Sequence, residues 1–174
     1  MDNPMSQKYK QVVSLIIFIL ILPLSTICKS EVFQWKDAQG NLKTFDFAVA
    51  NPPFSFKSWS SGINLTNDEF KRFEYGVPPD KNGDFAFLLH ILKSLKSTGK
   101  GAVILPHGVL FRSAAEGHIR QFLIEKKNCL DAVIGLPTNV FFGTPIPTCI
   151  LVLKKQREHL DNVLFIDASA HYEK

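Results

Sequence analysis

The stretch Thr44-Phe45-Asp46-Phe47-Ala48-Val49-Ala50-Asn51-Pro52-Pro53-Phe54 decides the fold of this 174-residue chain. Residues 44–50 form a short β-prone run, which stops where two prolines remove backbone donors and stiffen the chain. The sequence therefore predicts a strand that runs into a rigid loop. In open α/β sheets ligands bind beyond the carboxyl ends of the strands, so we expect Asn51 and its neighbours to lie in a binding site.

The residues after this loop predict the rest of an alternating sheet. Residues 55–82 are rich in Ser, Gly, Asn, Lys and Pro, which is typical of a long surface loop. Asp84 is the predicted cap of one helix, and Ser113 with Glu116 has the capping-box spacing of a second helix. Apolar runs predict strands at residues 102–105, 130–135, 149–153 and 163–166. This order predicts an α/β fold with the second half of a Rossmann-like sheet, mostly parallel, covered on both faces and with an antiparallel last strand pair.

The motif Asn51-Pro52-Pro53-Phe54 fits methylation of an amino nitrogen such as N6 of adenine. That nitrogen is a weak nucleophile because its lone pair is delocalised, so it needs two acceptors that hold its hydrogens as positive charge develops. The Asn51 side-chain oxygen and the Pro52 carbonyl are the candidate acceptors. Phe54 offers an aromatic face to a base that has left its stack. The alternative interpretation is a stiff turn without chemistry.

Other candidates are weaker. Phe141 and Phe142 precede a Gly-Thr-Pro loop, and one of them is a candidate second wall of the base pocket; we take Phe142 together with Pro53 as substrate-binding candidates. His107 follows a predicted strand, but the five histidines lack metal-ligand spacing, so we predict no metal site. Phosphate contacts or a solvated helix face are the two interpretations of Arg112, Arg120, Lys126 and Lys127.

The composition is that of an ordinary globular domain, with 45% hydrophobic and 21% charged residues. A net charge of +4 and a pI near 9.0 permit contact with nucleic acid without identifying a partner. The three cysteines form no C-x-x-C pair, which excludes an evident disulfide framework or zinc site.

Residues 1–30 conflict with the rest of the chain. Lys8 and Lys10 precede an apolar run at residues 12–22, which resembles a signal or anchor but is short for a membrane span and has no clear cleavage site. The segment is interpreted as a signal or anchor, as a buried strand or helix, or as a scar left by a lost upstream coding region. We favour the scar and begin the domain at residue 31, because the predicted chemistry needs DNA and a cytoplasmic location. Membrane association through residues 12–22 is the alternative.

Six stretches closely resemble the modification (M) subunits of type I restriction-modification systems, which are adenine-N6 DNA methyltransferases. These stretches are residues 42–55, 75–79, 84–87, 105–112, 133–137 and 141–153. The resemblance implies S-adenosylmethionine as cofactor, DNA as substrate, and a specificity (S) and a restriction (R) subunit as partners. It also implies that Asn51, Pro52 and Phe54 are the catalytic residues.

One departure from the family pattern concerns the methyl donor. The family has a glycine-rich donor-binding motif after its first strand, whereas Gly40 is the only glycine before Asn51 in this sequence. No cofactor-binding residue is therefore named, and we expect the chain to be an inactive catalytic-domain fragment when it is alone. The alternatives are a fragment related to protein glutamine N-methyltransferases and a membrane-anchored or exported protein without enzymatic activity.

Overall fold

The computed structural model of the chain describes residues 36–141 and 145–170. Within them the strands are β1 (Phe45–Ala50), β2 (Leu95–Pro106), β3 (Leu130–Gly135), β4 (Thr148–Lys154) and β5 (Leu164–Asp167). The α-helices are α1 (Asp84–Lys93) and α2 (Ala114–Gln121). Two short turns complete the elements, a 3-10 turn at His107–Leu110 and a π-helical turn at Phe122–Lys126 that extends α2. The apolar run at residues 12–22 and the proposed boundary at residue 31 lie outside the described residues.

The described strands form one mixed sheet in the order β1-β2-β4-β3-β5. β1 pairs parallel with β2, and β3 pairs parallel with β5. β4 is antiparallel to both of its neighbours, β2 and β3. The α/β class is therefore confirmed, but the prediction of a mostly parallel sheet is wrong for the described strands, because two of their four pairings are antiparallel. The last strand differs from the prediction, because β5 does not pair with β4 but crosses to the far side of β3.

Both described helices pack on one face of the sheet. A single apolar core joins Leu88 of α1 and Ile119 of α2 to Val103 of β2 and Leu151 of β4. The reason is the direction of the two crossovers, since β1-α1-β2 and β2-α2-β3 both advance the same way across the sheet. Right-handed crossovers that advance in one direction place their helices on one side. The prediction of helices on both faces is therefore wrong for the described part of the chain.

The opposite face carries a row of three isoleucines. Ile104 of β2, Ile150 of β4 and Ile134 of β3 are aligned by the strand register, and all three are buried. Alternate residues of a strand point to opposite faces, so this row faces away from α1 and α2. At the two edges of the sheet, Phe47 of β1 and Phe165 of β5 are exposed.

Both predicted helix caps are wrong in detail. Gly83 is the N-cap residue of α1, and Asp84 is already helical. Ser113 stands at the N-cap of α2, but its side chain makes no capping hydrogen bond. The carboxylates of Asp84 and Glu116 instead bind Arg112, because tertiary partners compete with the local capping pattern.

The segment at residues 55–82 contains neither helix nor strand, as predicted, but it is more than a surface loop. Trp59 and Phe73 are buried and pack together in the core, with their ring centroids 5.2 Å apart. The Trp59 indole N–H donates to the Pro79 carbonyl at 2.9 Å, which satisfies its polar group and allows its burial. A buried ion pair between Arg72 and Asp68, at 2.5 Å, closes the segment on itself.

A search of the described residues found no helix that is long and apolar enough to cross a membrane.

Candidate active site

The predicted motif lies at the carboxyl edge of the sheet. The last register pair of β1 with β2 joins Ala50 to Val103, and the chain then leaves β1 directly into Asn51. Pro52 is buried, Asn51 and Phe54 are half-buried, and Pro53 is exposed. Within the described part of the chain, the Asn51 side chain makes no hydrogen bond. Its amide oxygen is thus available as an acceptor at the edge where α/β proteins bind ligands.

A second aromatic ring faces Phe54. The centroid of the Phe141 ring lies 5.5 Å from that of Phe54, and the two planes meet at 85°. Phe141 belongs to the loop after β3, so the topology brings two distant segments to one edge. Of the two candidates for a second wall, the structure places Phe141 against Phe54. Phe142 lies outside the described residues, and its assignment to the base pocket stays a prediction.

The backbone after the motif is tied to the start of α1. The Ser55 N–H donates to Asp84 Oδ1 at 2.7 Å, and the Gly83 N–H donates to the Phe56 carbonyl at 2.9 Å. We call these two hydrogen bonds the Asp84 clamp. Ser55 has a φ of +51°, a left-handed conformation that a residue with a side chain rarely adopts unless its surroundings hold it. The clamp was not predicted, because the local sequence around Asp84 favours a helix cap.

Arg112 is held by carboxylates and is not a free phosphate ligand. Its Nη2 lies 2.6 Å from Asp84 Oδ2, and its Nε lies 2.5 Å from Glu116 Oε2. Burial lowers the pKa of Arg112, but hydrogen bonds to Glu116 and Asp84 outweigh burial and leave that pKa above its ordinary value. Arg120 donates to the carbonyls of Val109 and Arg112, at 3.1 and 3.0 Å. Both arginines therefore stabilise the loop after β2, and the carboxylate partners of Arg112 disfavour a phosphate contact by that residue.

His107 has a structural role. Its ring Nε2 lies 2.8 Å from the Thr148 carbonyl, and its backbone N–H donates to the Pro147 carbonyl at 3.0 Å. The ring thus connects the end of β2 to the start of β4, which agrees with the antiparallel pairing of the two strands. Lys126 and Lys127 are exposed, and Lys127 lies over the Tyr75 ring at 4.8 Å.

The two cysteines in the described residues behave as small apolar side chains. Cys129 and Cys149 are free and buried, and burial raises the pKa of the two thiols to about 11 and about 12. A thiol of such high pKa is a poor nucleophile at neutral pH.

Two glycines at the carboxyl edge of the sheet are candidates for a loop that binds S-adenosylmethionine, the donor that the resemblance implies. A donor loop needs glycines that let the backbone approach the ligand closely. Gly108 after β2 and Gly135 at the end of β3 lie at the right edge, but the protein itself fills the space beside Gly108. A Cβ there would lie 2.3 Å from Arg112 Nη1, whereas one at Gly135 would lie 3.8 Å from the Ile166 carbonyl oxygen of β5. Arg112 therefore excludes a ligand from the space beside Gly108, whereas the contact at Gly135 is an ordinary one.

A mixed α/β sheet with Asn-Pro-Pro-Phe at the carboxyl end of a strand, beside a second aromatic ring, agrees with the expectation of a methyltransferase that acts on an amino or amide nitrogen. The model of the N-6 DNA Methylase family matches residues 24–174, and the chain belongs to that family.

Methylase subunits of type I restriction enzymes are among the relatives of this chain. The MpnII methylase subunit of Mycoplasma pneumoniae is 40% identical over 134 residues, which are 76% of this chain and 24% of that subunit. The HindI methylase subunit of Haemophilus influenzae is 37% identical over 127 residues, which are 72% of this chain and 28% of that subunit. The chain therefore spans about a quarter of the length of the curated relatives that it matches.

Solved structures give the same result. The crystal structure of the type I restriction-modification methyltransferase subunit of Streptococcus thermophilus is 45% identical, with a TM-score of 0.65 over 76% of this chain and 28% of that one. The crystal structure of the EcoKI M protein is 26% identical, with a TM-score of 0.55 over 77% of this chain and 27% of that one.

Proposed function

We propose that this chain provides the target-base side of a type I DNA adenine-N6 methyltransferase. The observation that carries the proposal is the half-buried Asn51 side chain, which makes no hydrogen bond within the described residues and lies at the carboxyl end of β1. Phe54 follows three residues later, and its ring contacts that of Phe141, which supports an aromatic site for a flat base.

The chemistry required of these residues is hydrogen-bond acceptance. N6 of adenine becomes pyramidal and gains positive charge as it bonds to carbon, so both of its hydrogens become stronger donors. The Asn51 amide oxygen and the Pro52 carbonyl accept these hydrogens and draw the lone pair out of the ring. Pro53 fixes the backbone after Pro52 and so limits the directions in which that carbonyl can point. Phe54 holds the base by stacking.

The methyl donor and the partner subunits come from the resemblance. S-adenosylmethionine supplies the methyl group in this family, and no residue of this chain is assigned to its binding. By similarity with the type I relatives, a specificity subunit reads the DNA sequence and a restriction subunit joins the assembly. We propose that this chain alone does not transfer methyl groups, because its sequence has no glycine-rich donor loop before Asn51. The family match to residues 24–174 favours DNA over the protein-glutamine alternative.

A chimera tests the function. Residues 31–174 would replace the matching part of the Streptococcus thermophilus subunit, expressed with its specificity subunit, and transfer of labelled methyl to adenine N6 would be measured. We expect activity in the chimera and none in the 174-residue chain alone. Activity of the chain alone would contradict the need for a further donor-binding segment. A chimera that folds, assembles and leaves adenine unmethylated would refute the proposed function.

Variants of the chimera test the motif. Asn51→Ala is expected to lower kcat about a hundred- to a thousand-fold, because one of two acceptors is lost. Asn67→Ala removes an exposed amide in the loop at residues 55–82 and is the matched control. Phe54→Ala should weaken base capture by roughly 1–3 kcal/mol, whereas Phe54→Tyr should retain most activity. Unchanged turnover in Asn51→Ala would support the stiff-turn interpretation.

A further inference from the structure

Asp84 is a buried carboxylate that neither the motif nor the helix cap explains. Its side chain is fully buried, although it belongs to the first turn of α1. Each of its two oxygens has a different partner. Oδ1 accepts the Ser55 N–H at 2.7 Å, and Oδ2 accepts Arg112 Nη2 at 2.6 Å.

The Ser55 contact connects Asp84 to the motif, because Ser55 follows Phe54 directly. On the amino-terminal side the motif is fixed by β1, whose last residue, Ala50, is in register with Val103 of β2. On the carboxyl-terminal side, among the described residues, the first hydrogen bond of the backbone is the one that the Ser55 N–H donates to Asp84. The backbone between these two points is stiff because it contains two prolines. A shift of Ser55 would therefore be transmitted to Phe54 and to the Pro52 carbonyl.

Arg112 fixes the carboxylate in turn. Its guanidinium binds Asp84 on α1 and Glu116 on α2, so both helices of the core set its position. With one oxygen directed to Ser55 and the other to Arg112, the Asp84 carboxylate cannot rotate without breaking a charge-assisted bond.

We infer that Asp84 is a positioning residue, which acts through Ser55 to set the geometry of Pro52 and Phe54 at the target base. This inference rests on the proposed function. A positioning role requires two hydrogen-bond acceptors at position 84, whereas a residue that only fills space would require none. Asn has one oxygen and one NH₂ group. Its NH₂ group, which cannot accept a hydrogen bond, must therefore point at either the Ser55 N–H or Arg112. Asp84→Asn must therefore lose one of the two contacts while its volume stays the same.

Asp68 provides the matched control. Its side chain is also buried, binds Arg72 at 2.5 Å and accepts the Arg72 N–H, but it does not contact the motif. Asp68→Asn therefore breaks an equivalent ion pair and backbone contact elsewhere in the fold.

The first measurement is hydrogen exchange of the Ser55 amide in the full 174-residue chain, which does not depend on activity. Asp84→Asn should speed this exchange about ten- to a hundred-fold, because Arg112, the charged donor, takes the single Asn oxygen and the Ser55 N–H loses its acceptor. Asp68→Asn should leave the Ser55 amide as in the parent protein. Equal exchange in parent and Asp84→Asn would overturn the inference.

The second measurement is kinetic and uses the chimera that contains residues 31–174. Per folded molecule, Asp84→Asn should lower kcat about ten- to a hundred-fold, since small displacements of reacting groups have effects of that order. The KM for DNA should change little, and Asp68→Asn should keep the parental kcat. Asp84→Glu retains the charge that binds Arg112 but displaces Ser55, so it should also lower kcat. This variant replaces Asp84→Asn in the test if Asp84→Asn does not fold.

The outcomes separate the two proposals. A parental chimera without methylation refutes the proposed function, and Ser55 exchange then still tests the clamp. A parental chimera that methylates while Asp84→Asn or Asp84→Glu has the same kcat overturns only the positioning role.

Discussion

Replacing Arg112 with Met tests the ion-pair network that joins α1 to α2. Arg112 lies between two carboxylates, and the side chains of Asp84 and Glu116 are 0% and 4% exposed. Met has a similar length and apolar stem, so the packing of the side chain is largely retained. The main effect is that two buried carboxylates lose their cation.

The magnitude follows from the exposure of the three groups. Breaking a buried ion pair by removing one partner costs about 3–5 kcal/mol. The Arg112 side chain is 28% exposed, so water reaches part of the vacated space and we expect the lower end, about 3 kcal/mol. That is a large part of the roughly 5–15 kcal/mol by which a domain is stable.

The assay is urea unfolding of the full chain followed by circular dichroism. The triple variant Arg112→Met, Asp84→Asn, Glu116→Gln has no stranded charge and should recover at least about half of the lost stability. A single variant within about 0.5 kcal/mol of the parent would refute the reasoning, because that is the range of ordinary surface substitutions. A triple variant no more stable than the single one would show that stranded charge is not the cause.

Three further outcomes are expected. Burial lowers the pKa of His90 from 6.5 to about 4, so its neutral form stabilises the fold above pH 6.5. This contribution is about 3 kcal/mol, at about 1.4 kcal/mol per pKa unit, and it is lost as the pH falls through about 4. The unfolding free energy of His90→Gln should therefore depend less on pH over this range. Parallel pH curves for the two proteins would contradict this. Gly76→Ala should lower the unfolding free energy by about 1–3 kcal/mol, because Gly76 has a φ of +128° and a Cβ there would lie 2.8 Å from Ile119 Cγ1. Gly117→Ala, with no contact under 3.8 Å, is the control and should not destabilise. Deletion of residues 1–30 should not lower the yield of soluble protein, and loss of a cooperative unfolding transition on deletion would show that these residues belong to the core.

Much of the secondary structure was predictable because its signals are local. The strand before Asn51, the helix that begins at Asp84 and the apolar strands after it are all present. The position of β4 was not predictable, because hydrophobic patterns identify a strand without naming its neighbours. β2 also begins at Leu95 rather than at residue 102. The prediction missed its first part because residues 95–101 lack a continuous apolar run.

The candidate site was predicted only where its residues are contiguous in the sequence. Asn51 and Phe54 were identified by their adjacency, whereas the contact of Phe54 with Phe141 depends on the tertiary fold. The role of Asp84 was missed for a physical reason. An acidic residue at a helix start favours the dipole and suggests a cap, and that local signal conceals the distant partners Ser55 and Arg112.

The proposed target-base side of the site is held by contacts within this chain. β2 fixes the strand before Asn51, Asp84 fixes the backbone after Phe54, and Phe141 lies against the Phe54 ring. The acceptor geometry can therefore be preorganised before a donor-binding segment is added, and the step that such a segment contributes is the placement of the methyl carbon against N6. For this reason a substitution at Asp84 should change turnover more than donor affinity, whereas changes in the donor-binding segment should do the reverse.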